Sequence, residues 1–313
     1  MHALPSRRPG LAIATILLGA GVALHAQRPA FRLGVELVSL SVTVTTADGR
    51  NVGDLSAEDF TIFDEGQPQE VAFFSRANTE MAVSLVLDSS ASMEDQMGLA
   101  QKAATDFVAR LRPGDLAEIV DFDSRVQVVE PFTGDRAALE AAIQRVSAGG
   151  STSLHNAVYI TLRRFEQLQK PDPDEIRRQV VVVLSDGDDT SSLVSFEEVL
   201  DLARRSQTAI YTIGLGLEAP SRSAGSTGEF SLRRLAQDTG GRMFMARQGT
   251  ELSGVYAAIA DELTSQYVLG YLSTAKPDGT FRRVSVRVAR PGVQARTRSG
   301  YYAPRSARLQ DQR

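Results

Sequence analysis

The sequence predicts an α/β protein: a doubly wound, mostly parallel sheet inserted into a small β-sandwich. In the middle zone, about 80–264, mainly apolar runs alternate with amphipathic segments. Such runs are typical of parallel strands that are buried on both faces. The runs are 83–87, 117–122, 180–184 and 209–213. The flanking zones, 31–76 and 265–303, instead read as short strands and turns. Neither flank is large enough to hold its own core, so we expect them to pair with each other.

The first 26 residues have the pattern of a secretory signal peptide. Arg7 and Arg8 precede an apolar run over 11–26, and we expect cleavage after Ala26. The alternative is a retained anchor, but the run is shorter than the about 20 apolar residues that a membrane span needs. The arginine pair also resembles a twin-arginine export signal. We therefore expect an exported protein, periplasmic or secreted, with no transmembrane segment in the mature chain.

Composition excludes several classes of function. The 313 residues include no cysteine, which rules out disulfide scaffolds, zinc ribbons and thiol nucleophiles. His2 and His25 lie in the leader, so the mature chain keeps His155 and no histidine-rich metal cage. The formal net charge is −4, and a mildly acidic chain is a poor candidate for nonspecific binding to nucleic acid. We expect no nucleic-acid partner.

In the first flank, apolar and polar side chains alternate strictly over 37–45, which predicts a strand with one buried face. In the middle zone, apolar residues recur at helical spacing within 97–111, 139–146 and 252–263, which predicts helices packed against the sheet. Further short strands are predicted at 60–63, 71–74, 266–272 and 284–288. We expect a disordered tail over 304–313.

Hydroxyl and carboxylate side chains follow two of the predicted parallel strands. Asp88, Ser90 and Ser92 stand at alternate positions after the first, and Asp186 follows the strand at 180–184. Thr152 follows a glycine pair at a predicted helix start. Ligands of doubly wound sheets bind outside the carboxyl ends of the strands. All five are hard oxygen donors, which suit Mg²⁺, with Mn²⁺ or Ca²⁺ as alternatives, rather than zinc or copper.

These five residues, in this order, resemble the metal-ion-dependent adhesion site of von Willebrand factor type A domains. The resemblance covers about 80–264 and implies a Rossmann-like fold. It implies that Ser90, Ser92 and Thr152 bind the metal directly. It also implies that Asp88 and Asp186 contact the metal through water or contact its direct ligands. It also implies a partner protein or peptide that supplies an acidic side chain to the metal.

The flanks resemble the exported bacterial subgroup of VWFA-related domain proteins, through the segments 55–60, 267–271 and 300–304. The leading hypothesis is therefore an exported, metal-dependent binding module for adhesion or scaffolding, and not an enzyme. One alternative is a metal-dependent hydrolase that uses Asp88 and Asp186, although no His or Lys base is matched to the site. Another is a β-sandwich scaffold whose metal site has no function.

Three further polar residues lie near the predicted site. We expect Asp188 and Asp189 to form an acidic rim or a helix cap rather than to extend the metal site. For His155, a capping or surface role is expected instead of contact with a ligand.

Overall fold

The computed structural model describes residues 36–76, 79–168, 177–186, 188–216 and 227–305. The predicted leader over 1–26 and most of the predicted tail, 306–313, lie outside these residues. The strands are β1 (Glu36–Thr46), β2 (Phe60–Asp64), β3 (Gln67–Gln69), β4 (Phe73–Arg76), β5 (Met81–Asp88), β6 (Leu116–Phe122), β7 (Val126–Thr133), β8 (Arg178–Ser185), β9 (Ala209–Leu215), β10 (Met243–Ala246), β11 (Tyr267–Ser273), β12 (Phe281–Val288), β13 (Val293–Arg296) and β14 (Gly300–Tyr302). The α-helices are α1 (Met97–Val108), α2 (Arg136–Arg145), α3 (Leu154–Leu168), α4 (Phe196–Ser206), α5 (Thr227–Thr239) and α6 (Leu252–Ser265).

The central sheet has six strands in the order β10-β9-β8-β5-β6-β7. All neighbouring pairs are parallel except β6 with β7, which are antiparallel. The predicted doubly wound, mostly parallel sheet is confirmed. Its two edge strands, β7 and β10, were not predicted. Polar residues interrupt β7, and β10 is an apolar run of only four partly exposed residues.

Helices cover both faces of this sheet. Every residue of β5 is buried, and its side chains alternate between two cores. Val83, Leu85 and Leu87 pack with α1, α2 and α6 on one face. Ala82 and Val86 pack with α3, α4 and α5 on the other. Because β5 is covered on both sides, the loop that follows it begins inside the protein.

The two flanks form the β-sandwich, as predicted. One sheet has the order β13-β1-β11-β4 and the other β14-β12-β2-β3, so strands from both ends of the chain pair within each sheet. In the first, β1 runs antiparallel to β11, with Val38 opposite Tyr271 and Val42 opposite Tyr267. These four side chains are buried between the two sheets, which explains the alternation in the β1 sequence.

A buried acid joins the α/β domain to the sandwich. Glu262 of α6 is 2% exposed, and its carboxylate accepts a hydrogen bond of 2.6 Å from the Tyr211 hydroxyl. It also accepts one of 3.3 Å from Thr43 of β1 and pairs with Arg296 of β13. A buried carboxylate is stable only when such partners replace its lost water. The position of the sandwich on the α/β domain therefore depends on this residue.

We expect Glu262→Ala to lower the free energy of unfolding by about 2–3 kcal/mol, because it leaves Tyr211 and Arg296 without their acceptor. Urea unfolding followed by circular dichroism measures this. Glu197→Ala, at an exposed position in the first turn of α4, is the control and should change stability by no more than about 0.5 kcal/mol. Equal effects of the two variants would contradict the role assigned to Glu262.

Candidate metal centre

Asp88 is the last residue of β5, and it is completely buried. Its Oδ1 accepts a hydrogen bond of 2.9 Å from the backbone N–H of Ser90. Its Oδ2 accepts one of 2.6 Å from the hydroxyl of Ser185, the last residue of the neighbouring strand β8. Both carboxylate oxygens of Asp88 therefore accept a hydrogen bond from the protein. No role is predicted for Ser185 from the sequence. Its position at the end of β8, directly before Asp186, could have identified it as a neighbour of the site.

Hydroxyl groups connect this carboxylate loop to Asp186. The Oγ atoms of Ser90 and Ser92 lie 3.1 Å apart, and the Ser92 hydroxyl donates to Asp186 Oδ1 at 3.0 Å. Ser90 is buried, whereas Ser92 is exposed and Asp186 partly exposed. The structure thus brings these predicted residues together in one chain of contacts that runs from the interior to the surface.

Backbone hydrogen bonds bring the loop before α3 against the loop after β5. Gly149 N–H donates to the carbonyl of Ser89 at 2.7 Å, and Ala91 N–H donates to that of Gly150 at 3.1 Å. Gly150 has φ +77°, and a Cβ there would lie 2.7 Å from Asp123 Oδ2. This close approach, together with the left-handed backbone, requires glycine. Gly150 is therefore the member of the glycine pair that this backbone requires, because a Cβ at Gly149 would meet nothing within 4 Å.

The fifth predicted residue, Thr152, lies two residues beyond this contact and is 6% exposed. Its position is set through its backbone. The Thr152 N–H donates to the Thr190 hydroxyl at 3.1 Å, and its carbonyl accepts from the Thr190 N–H at 2.9 Å and the Ser191 N–H at 3.1 Å. The loops after β5 and β8 and the loop before α3 are thus bonded to each other at one edge of the sheet.

The nearby acidic residues bond to helix starts. Asp188 accepts a hydrogen bond from the Gly228 N–H at the beginning of α5. Asp189 accepts one of 3.3 Å from the His155 N–H at the beginning of α3, and its other oxygen lies 3.4 Å from His155 Nδ1. Both aspartates thus take the capping role, one of the two expected for them. The His155 side chain is only 12% exposed and lies against Asp189 and Phe196, so it takes neither the capping nor the surface role expected for it.

The two site carboxylates lie in an unfavourable electrostatic environment. Burial raises the pKa of Asp88 in spite of its hydrogen bonds from Ser185 and Ser90, and the charge of Asp186 acts in the same direction. Burial also raises the pKa of Asp186. Neither forms an ion pair with a described Lys, Arg or His. Nearby cationic charge would stabilise both carboxylates in their ionised form.

The donor set at this edge consists of hydroxyls and two carboxylates. Among the described residues, no group of three or more His, Cys, Asp or Glu could hold a metal ion. The oxygens of Asp88, Ser90, Ser92, Thr152 and Asp186 are hard donors, and they fit a divalent cation such as Mg²⁺. Site and fold together define a class of protein. It is a Rossmann-like α/β domain with a cluster of hydroxyl and carboxylate oxygens, suited to a cation, at the carboxyl ends of its parallel strands.

Comparison with known proteins identifies the family. The sequence model of the von Willebrand factor type A domain matches residues 83–258. The chain belongs to this family. An UPF0353 protein of Nocardia farcinica (strain IFM 10152) is 26% identical over 217 residues, 58% of this chain. The match spans 62% of that protein's length, less than two thirds of it.

Solved structures share the fold. A von Willebrand factor type A structure from Catenulispora acidiphila has a TM-score of 0.51 at 13% identity, covering 88% of this chain and 74% of that one. Proximal thread matrix protein 1 from the mussel byssus, described with a zinc-occupied MIDAS motif, has a TM-score of 0.50 at 19% identity. That likeness covers 64% of this chain and 50% of the mussel chain. Across the described part of the chain, no helix is long and apolar enough to cross a membrane.

The raised pKa of Asp88 predicts that its charge costs stability when no cation is present. We expect Asp88→Asn, in chelator near neutral pH, to be as stable as the wild type or more stable by about 1 kcal/mol. Asparagine keeps an acceptor for the Ser90 N–H and removes the charge. The gain should shrink as pH falls through the raised pKa towards the ordinary aspartate range, where the folded wild type is also neutral.

Urea unfolding at two pH values measures this difference. Asp261→Asn is the control, because the Asp261 side chain is 71% exposed and should show no such gain. A loss of stability in Asp88→Asn at neutral pH, relative to this control, would contradict an electrostatic cost at Asp88.

Proposed function

We propose that this protein is an exported binding module that captures a carboxylate of a partner protein or peptide through a divalent cation. Ser90, Ser92 and Thr152 bind the cation directly, and Asp88 and Asp186 act largely through water. The cation is Mg²⁺, with Mn²⁺ and Ca²⁺ as alternatives. The observation that carries the proposal is the chain of contacts from Ser90 through Ser92 to Asp186, which begins at the buried end of β5 and ends at the surface.

The hydrogen bonds of Asp88 support this division of roles. Its two oxygens each accept one hydrogen bond, from the Ser90 N–H and the Ser185 hydroxyl, which fixes the carboxylate behind the hydroxyls of Ser90 and Ser92. Hydroxyl ligands are neutral and leave most of the cation's charge uncompensated. An anionic oxygen from another molecule would supply the negative charge that the neutral hydroxyl ligands lack. The partner is therefore expected to present an acidic side chain.

We propose no catalytic step at this site. A hydrolase would need a base near the cation to activate water. His155 packs against Asp189 instead, 3.4 Å from its carboxylate. Export is proposed from the leader pattern, in which Arg7 and Arg8 precede the apolar run.

The first experiment tests the cation itself. At a concentration about 100 times its Kd, Mg²⁺ should stabilise the wild type by about 2.7 kcal/mol, measured by thermal unfolding with and without the ion. Thr152→Val replaces the hydroxyl by a methyl group and should lose most of this gain. Thr61→Val, at an exposed position in β2, is the matched control and should respond like the wild type. Mn²⁺, Ca²⁺ and Zn²⁺ are titrated in parallel.

An unchanged Mg²⁺ response in Thr152→Val would contradict the assigned ligand set. A stronger response to Zn²⁺ than to Mg²⁺, lost in the same variant, would keep the site and change the preferred ion.

The second experiment tests partner capture. Immobilised protein should retain partners from the envelope fraction in Mg²⁺ and release them in chelator. Ser92→Ala should retain none of them, because it removes a surface ligand to the cation. Ser285→Ala, on the exposed face of β12, is the control and should behave as the wild type. Capture that is indifferent to both chelator and Ser92→Ala would refute metal-dependent binding.

A further inference from the structure

A cavity of about 500 Å³ lies at the amino ends of β8 and β9, whereas the candidate metal centre lies at the carboxyl ends of the parallel strands. It is enclosed by the start of β8 and β9, the end of α4, and the outer face of the sandwich sheet that contains β1 and β11. Arg178 begins β8 beside the cavity, and Ser185 ends it beside the candidate metal centre. Along a strand this separation is roughly 23 Å, so the cavity is distinct from the metal centre.

Four arginines from the described part of the chain line the cavity. Arg177, Arg178, Arg205 and Arg298 contribute to it, and Glu166 is the acidic residue among the described lining residues. Glu166 is itself paired with Arg163, at 2.8 Å. Arg177 is paired with Glu80 at 2.9 Å. Arg205 is paired with Asp201 at 2.8 Å. An anionic ligand is therefore favoured first by Arg178.

Arg178 is the most informative of these arginines. Its side chain donates to the carbonyl of Leu263 at 3.0 Å, to Gln266 Oε1 at 2.8 Å and to the carbonyl of Thr79 at 3.4 Å. All of these acceptors are neutral, and no described carboxylate forms an ion pair with it. The residue is only 8% exposed. Asp115 attracts the charge of Arg178, although the two side chains form no ion pair. A guanidinium stays charged in proteins, and a buried charge without an ion-pair partner is costly.

The opposite side of the cavity is apolar. Leu37 of β1 and Phe73 of β4 are 51% and 47% exposed, unusual for such large apolar side chains. Both lie over Gly270 of β11, where a Cβ would be 3.0 Å from Phe73 Cβ and 3.1 Å from Leu37 Cδ1. Val268 continues this apolar side along β11. A ligand in the cavity would cover surface that is otherwise in contact with water.

We propose that this cavity binds a small organic anion that has an apolar body. Its acidic head group lies towards Arg178 and Arg298, and its body lies against Leu37, Phe73 and Val268. The volume is within the range of small-molecule sites, which combine apolar lining residues with a small number of polar groups that orient the ligand. Both an aliphatic carboxylate and an aromatic amino-acid carboxylate have this chemistry.

Calorimetric titration of the full chain tests the proposal, in chelator so that a metal cannot capture the carboxylate. The probes are decanoate against decanol, and N-acetylphenylalanine against its amide. At least one acid should bind at least about tenfold more tightly than its neutral counterpart, and which one does so distinguishes an aliphatic from an aromatic ligand. Failure of both acids to exceed their neutral counterparts would overturn the proposal.

Two variants locate the binding. Ser39 lines the cavity from the exposed face of β1, so Ser39→Phe should fill it and weaken acid binding at least about tenfold. Ser285→Phe, at an exposed position in β12 outside the cavity, should leave the affinity unchanged. Equal affinities in Ser39→Phe and Ser285→Phe would overturn the assignment to this cavity.

The charge requirement has its own test. Arg298→Gln removes the charge of a lining arginine, whose Nη2 donates to the carbonyl of Ser39 at 2.9 Å. It should weaken binding of the acid about tenfold and leave the neutral counterpart unaffected. Arg283→Gln, with an 82% exposed side chain, is the control. Identical acid affinities in Arg298→Gln and Arg283→Gln would show that the cationic lining does not recognise the ligand.

Discussion

A carboxylate at the buried end of the central strand constrains the rest of the candidate metal centre. Asp88 ends a strand with no exposed residue, so its charge lies where water cannot solvate it. The Ser90 N–H and the Ser185 hydroxyl each take one of its oxygens, and the Ser90 and Ser92 hydroxyls extend the contacts to Asp186. Hydrogen bonds alone leave two acids close together without a described basic partner, an arrangement that favours a divalent cation.

The topology explains why this cluster lies where it does. From β5 the chain crosses through α1 to β6 on one side, whereas β8, on the other side of β5, follows α3. Helices α1 and α3 pack on opposite faces of the sheet. The loops after β5 and β8 therefore diverge at the point where the strand order reverses, which is where open α/β sheets bind their ligands. The sandwich contacts the α/β domain at the opposite edge, through Glu262 and its partners.

Much of this arrangement could be predicted from the sequence, and the exceptions have physical causes. Mainly apolar runs identified β5, β6, β8 and β9, because inner parallel strands are buried on both faces. The edge strand β7 is interrupted by polar residues, and β10 has only four residues. Asp88, Ser90, Ser92, Thr152 and Asp186 were identified by their order after strand ends, but the role of Ser185 depends on a contact between two strands. The cationic cavity could not be predicted, since its lining comes from positions as distant as Leu37 and Arg298.

The central claim is that one cation binds among the oxygens of Ser90, Ser92 and Thr152. Anomalous diffraction from crystals soaked in Mn²⁺ tests it most directly, because the ion is located without reference to any partner or activity. The account predicts an anomalous difference peak within coordination distance of these three hydroxyls, with Asp88 and Asp186 reaching it through water. A bound Mn²⁺ elsewhere, or no peak at this edge at saturating Mn²⁺, would contradict the account.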